Sequence, residues 1–178
     1  MTAAATIEKP AAAPGAAPAP AIDPKLIVPF VNSVRSVFAT MVKVETEIQR
    51  PHYKTQPAPS YDVSSIIGFS GQIVGSVVIS LERGAAEALV AAFAGTPLKL
   101  TDGDFPDAIG ELANMIAGGA KTHLGSLASI SVPSVVIGSG HVVARLTDVP
   151  CIVIPCKTPV GNFAVEVNIK KLAPQAGK

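Results

Sequence analysis

The sequence predicts an α+β domain in which a largely antiparallel sheet packs against long helices. Three observations lead there. A helical period of apolar residues opens the ordered part of the chain, two further helical runs sit mid-chain, and residue-by-residue alternation flanks them. The last alternating run, "FAVEVNI", sets Phe163, Val165, Val167 and Ile169 against Ala164, Glu166, Asn168 and Lys170, which predicts one buried and one wet face. With 48% apolar residues, the 178-residue chain can bury a sizeable core as one domain with tails.

The N-terminal "MTAAATIEKPAAAPGAAPAPA" is rich in Ala and Pro and lacks both a basic start and a continuous apolar run. Residues 1–22 are therefore expected to be a disordered tail and not a signal peptide. The domain is expected over 23–172, with a short C-terminal tail at 173–178. "DPKLIVPFVNSVRSVFATMVKV" predicts the first helix, capped by Asp23 with Pro24 in its first turn. Leu26, Phe30, Val34, Val37 and Met41 share its apolar face, and Pro29 is expected to disturb its start.

"KVETEIQR" is a strand candidate and "PHYKTQPAPS" a proline-rich loop. "DVSSIIGFS" and "QIVGSVVISL" predict a hairpin turning at Ser70-Gly71-Gln72, with Ile73, Val77, Ile79 and Leu81 on one side. "ERGAAEALVAAFAG" predicts a short helix ended by Gly95. Strands are expected in "SISVPSVVIG", "HVVARL", "CIVIPCK" and "FAVEVNI".

Between these lies "DFPDAIGELANMIAGGAKTHL", which predicts a long helix capped by Asp104. At about 100° per residue, Phe105, Ile109, Leu112, Ala113, Ile116 and Ala120 fall on a core-facing arc. Asp107, Glu111, Asn114 and Gly118 fall near the opposite pole, with Lys121 beside them. Each glycine of "AGGAK" costs about 1 kcal/mol relative to alanine in a helix. The pair fits a partner's backbone approaching Gly118, a kink, or packing against a neighbouring helix equally well. Asp107 fits a favourable charge at the helix N-terminus as well as a place in the ridge. Taken alone, an E-x-x-N pair on an exposed helix is an ordinary solvated face.

Other chemistries find little support. Basic and acidic residues nearly balance, at a formal net charge of +1, and Trp is absent, which argues against a nucleic-acid groove. No run is long and apolar enough to suggest a membrane span. There is no Walker loop, dinucleotide fingerprint or zinc spacing. His52, His123 and His141 are widely separated, and Cys151 and Cys156 are expected as reduced residues on opposite faces of a strand. The expected location is cytoplasmic.

The helix does resemble a family. "DAIGELANMIAGGAK" is similar to the active helix of the CheX branch of the CheC/CheX/FliY phosphatases, whose pattern is Asp or Ser, three residues, Glu, two residues, Asn. Asp107, Glu111 and Asn114 match it, and "NMIAGGAK" is similar to the family's "NMIAGNAK", with Gly119 replacing the usual Asn. "SSIIGFSGQIVGSVVISL" and "SVPSVVIGSGH" resemble the family's central hairpin and the segment after its active helix, so the likeness runs from about Lys25 to Leu172. Pro133 lies near the place of a family proline. Some members carry two motifs; here Asn32 has Pro29 where the glutamate would stand, so one site per chain is expected.

The resemblance implies a phosphatase that hydrolyses the aspartyl phosphate of a CheY-like receiver domain in chemotaxis-type signalling. Asn114 would orient the attacking water and Glu111 would pair with the receiver's lysine. Asp107, Gly118 and Lys121 would contact the partner. No cofactor of its own is implied, since the receiver brings Mg²⁺. It also implies a homodimer. The competing expectation is a non-catalytic receiver-binding adaptor or switch-complex module.

Overall fold

A computed structural model describes residues 23–55, 60–125, 128–146 and 148–172. The expected tails at 1–22 and 173–178 lie outside them. The elements are α1 (Pro24–Val37), β1 (Glu47–Ile48), β2 (His52–Tyr53), β3 (Val63–Gly71), β4 (Ile73–Leu81), α2 (Arg83–Ala94), α3 (Phe105–Leu124), β5 (Ala128–Ile130), β6 (Ser134–Ile137), β7 (Ile152–Thr158) and β8 (Gly161–Lys171). All strand pairs are antiparallel, in the order β1-β7-β8-β4-β3-β5, with β2 also on β7 and β6 also on β3. The expected α+β class is what the chain adopts.

The helices pack on one face of the sheet. Phe163, Val165, Val167 and Ile169 of β8 join Val77, Ile79 and Leu81 of β4 in a core closed by Phe30, Val34, Ile109, Leu112 and Ile116. Phe38 stacks on Phe163 at 4.7 Å between ring centroids, and Phe30 meets Phe69 edge-on at 6.0 Å.

Several local expectations are corrected. Asp23 caps α1 as expected, accepting from the Lys25 N–H at 2.9 Å. Pro29, however, stands inside a continuous helix. The bond it removes is to the carbonyl of Lys25, an exposed residue that water can serve. A π-helical turn at Phe38–Val42 then shifts the phase, burying Val42 and leaving Met41 45% exposed. With that turn the helix spans Pro24–Val42 and has the length and mean hydropathy (1.3) of a membrane span, contrary to the sequence reading. Here its apolar side is buried against α3 and the sheet.

"KVETEIQR" pairs only at Glu47–Ile48, and the proline-rich loop holds the short β2. "HVVARL" is irregular. The second face of β8 is not wet: Glu166 and Asn168 are 0% and 1% exposed. Glu166 accepts from Lys54 Nζ (2.9 Å), the Ser60 N–H and hydroxyl (both 2.7 Å) and Arg145. Asn168 accepts from the Leu146 N–H at 3.0 Å and donates to the Val149 carbonyl at 2.7 Å. Polar residues at alternating positions signalled water, but their hydrogen bonds hold irregular chain across the sheet instead.

"SISVPSVVIG" is broken by a bulge. Phe69 pairs with Ile130 and Ile66 with Ser134, so Ile67 and Gly68 oppose three residues, Ser131, Val132 and Pro133. The Ser131 N–H donates to the Gly68 carbonyl, and the Gly68 N–H donates to the Ser131 hydroxyl oxygen, both at 2.9 Å.

Candidate functional site: a polar ridge on α3

Apolar residues at helical spacing commit α3 to the core. Phe105, Ile109, Leu112, Ala113, Ile116, Ala117 and Ala120 are all fully buried. Asp104 begins the helix without capping it by its side chain; its φ and ψ of −84° and −10° are already helical. The entry is instead a turn in which Asp102 Oδ2 accepts from the Lys99 N–H at 2.8 Å and the Asp102 carbonyl from the Phe105 N–H at 3.1 Å.

The opposite side carries the ridge. Asp107 and Glu111 are exposed, and Asn114, Gly118 and Lys121 are half-buried. Asn114 Nδ2 lies 3.5 Å from Glu111 Oε2, one helical turn away. That contact is at the limit of a hydrogen bond, so both groups can exchange it for shorter bonds to a partner. Asp107 is in the first turn, where the helix dipole favours a negative charge.

The two neighbouring glycines have different surroundings. A Cβ on Gly119 would crowd the Ser33 hydroxyl and lie 3.2 Å from the Ser33 Cβ, so this glycine permits α1 to pack closely. The Ser33 hydroxyl uses that approach to donate to the Ile116 carbonyl at 2.7 Å. A Cβ on Gly118 would meet only Ile130 Cδ1, at an ordinary 4.0 Å. Sequence reasoning missed Gly110, where a Cβ would come within 3.0 Å of Pro133 Cγ. The edge segment from Ile130 to Pro133 therefore lies along the row Gly110–Asn114–Gly118. On α1, Asn32 is exposed but Pro29 is buried, so that helix presents no second carboxylate–amide pair.

The remaining candidates stand apart. His123 Nδ1 is 3.1 Å from the Gly119 carbonyl at the end of α3, and His141 lies between the Gly138 carbonyl (2.8 Å) and the Ser64 hydroxyl (2.9 Å). His52 is in β2, paired with β7. Both cysteines are free, and burial pushes the thiol of Cys151 up to about 11 and that of Cys156 up to about 12, so both stay protonated and unreactive at neutral pH. Among the described residues no three His, Cys, Asp or Glu side chains converge as a metal site.

A cleft of about 590 Å³ is lined by Asp23, Leu26, Ile73, His123 and Lys171 and includes none of Asp107, Glu111 or Asn114. The ridge is a convex edge, which cannot enclose a small molecule by itself. It suits insertion into a concavity that a partner supplies.

The family model for chemotaxis phosphatase CheX matches residues 63–157, which spans the central hairpin, all of α3 and the bulged edge. The chain belongs to the CheX family. Its fold agrees with a CheC-like superfamily protein from Shewanella sp. PV-4 (TM-score 0.75, 30% identity, covering 84% of this chain and 99% of that one). It agrees likewise with a chemotaxis protein CheX from Desulfovibrio desulfuricans (0.73, 32%, 83% and 99%). A more distant CheX, from Borrelia burgdorferi, was solved in complex with CheY, BeF3 and Mg²⁺ (0.68, 22%, 82% and 98%), and its likeness to this CheX-family chain is one of fold. No curated protein matched.

Proposed function

We propose that the chain hydrolyses the aspartyl phosphate of a CheY-like receiver domain in chemotaxis-type signalling. The observation that carries this reading is the placement of Glu111 and Asn114 on one convex edge of a helix whose other side is wholly buried. Such a helix is rigid enough to insert side chains into a partner's site without losing their geometry.

Asn114 enters the receiver site and uses its carboxamide, a donor and an acceptor, to hold a water in line with phosphorus. The water oxygen bonds to phosphorus, the bond to the receiver's aspartyl oxygen breaks, and inorganic phosphate and a free carboxylate leave. Positioning is much of what phosphoryl transfer asks of a protein. Glu111 pairs with the receiver's active-site lysine and anchors the ridge. Asp107, Gly118 and Lys121 meet the rim of the receiver site. Mg²⁺ comes with the receiver, as its presence in the Borrelia CheX–CheY complex supports.

A homodimer formed by pairing of sheet edges and a cytoplasmic location belong to the same proposal. Light scattering at micromolar concentration tests the dimer, and a monomeric mass contradicts it. The activity is tested by phosphate loss from receiver domains of the same source. Acceleration by wild type but not by Asn114→Ala supports it; binding of phosphorylated receiver without acceleration supports an adaptor instead.

A further inference from the structure

The bulged edge beside α3 carries a side chain that the phosphatase reading does not use. Val132 is 84% exposed, the most exposed large apolar residue among those described. Its position is tightly set. Ile130 reaches Gly118 on one side and Pro133 packs on Gly110 on the other. Those glycines are about 12 Å apart along the helix axis, and three residues of extended chain span about 10 Å. Ser131 and Val132 therefore cross the level of Asn114, midway between the two contacts.

The bulge produces this arrangement. Without its extra residue the edge would continue the ladder on β3, and the alternation of side chains would stay in phase. The Ser131 hydroxyl, which accepts from the Gly68 N–H at 2.9 Å and donates to the Val132 carbonyl at 2.8 Å, holds the irregular backbone. Pro133 fixes the exit towards β6 and lies against Gly110. An exposed valine held on a braced backbone loses little freedom on binding, which favours contact with a partner.

We infer that Val132 is an apolar docking contact for the receiver domain, seated beside Asn114 and reading the receiver surface next to the phosphorylation site. The inference rests on the receiver-phosphatase reading and adds a specificity residue to it. Continuity with the ridge selects the occupant: any body that covers Asn114 must also cover the residue level with it. Val132 touches no reacting atom, so its effect falls on association and not on the chemical step.

The test is steady-state dephosphorylation with the full chain, using the receiver that wild type dephosphorylates fastest, and comparing Val132→Asp, Val132→Ser and Val132→Leu. The Asp variant is expected to raise KM about tenfold with kcat within about twofold, and the Leu variant to stay near wild type. An unchanged KM in both polar variants overturns the inference. So does a kcat loss as large as that of Asn114→Ala. A change in oligomeric mass in Val132→Asp also overturns it, because the contact is then between copies of this chain. If the Asp variant fails to fold, the Ser variant decides by the same KM criterion. If wild type accelerates phosphate loss from no receiver, the phosphatase reading fails separately. Docking is then read from binding to receivers loaded with beryllofluoride and Mg²⁺, where equal affinity of wild type and Val132→Asp overturns it.

Discussion

Ser33 and Gly119 are matched across the α1–α3 interface. The serine hydroxyl donates to the Ile116 carbonyl at 2.7 Å, and a Cβ on the glycine would lie 3.2 Å from the serine Cβ. The residue pair thus explains why a glycine stands at 119: a side chain there would crowd Ser33 opposite. The constraint concerns helix packing and leaves the Glu111–Asn114 edge in place.

Gly119→Ala is therefore expected to destabilise the fold by about 1–3 kcal/mol despite alanine's better helix propensity. Ser33→Ala should recover part of that loss, giving a non-additive double-mutant cycle in urea unfolding. Additive effects would show that the two residues do not share one packing constraint.

Glu111 and Asn114 should separate kinetically although they are neighbours at 3.5 Å. Asn114→Ala is expected to lower kcat by about 10²-fold or more, because it removes the group that positions water. Glu111→Ala is expected to raise KM about tenfold or more and to weaken the salt dependence of association. Unchanged kinetics at limiting enzyme in Glu111→Ala would remove its anchoring role.

Glu166 holds the irregular segments over the outer face of the sheet. Its carboxylate is 0% exposed and meets Lys54 and Arg145, whose side chains are 8% and 10% exposed. Glu166→Gln removes the carboxylate charge that Lys54 and Arg145 both meet, and a loss of about 3–5 kcal/mol is expected in chemical denaturation. Stability within about 1 kcal/mol of wild type would mean that the covering segments do not depend on this charge.

The cysteines predict a pH dependence. Burial raises both thiols above the ordinary value of 9.0, to about 11 for Cys151 and about 12 for Cys156. The folded state therefore keeps protons that the unfolded state releases. The stabilisation is complete below about pH 9 and is lost as pH rises through the folded-state values. Native thiols should resist a thiol-reactive dye at pH 8 and react on unfolding. Fast labelling of the native chain would contradict their burial.

Much of this molecule was legible where one force dominates. The helical period of Ile109, Leu112, Ala113 and Ile116 placed α3 and its outward ridge, because apolar burial sets helix rotation. Alternation placed the β3–β4 hairpin and β8. The outer sheet face was misread, since Glu166 and Asn168 look like solvent positions until Arg145, Leu146 and Val149 arrive from distant sequence. "HVVARL" has a strand's composition, yet it is held by side chains of β8 and pairs with no ladder. The π turn that turns Met41 outward and the bulge at Ser131–Pro133 are phase shifts of one residue, which local pattern does not reveal. At the site, residue types and spacing singled out Glu111 and Asn114, but only the fold shows Ser33 against Gly119 and Pro133 against Gly110.

The most direct measurement is phosphate release from a panel of receiver domains charged with a small phosphodonor, with wild type and Asn114→Ala side by side. Faster release from at least one receiver with wild type, and the receiver's own rate with Asn114→Ala, is the predicted result. Equal rates with the two proteins on every receiver would contradict a water-positioning role for Asn114.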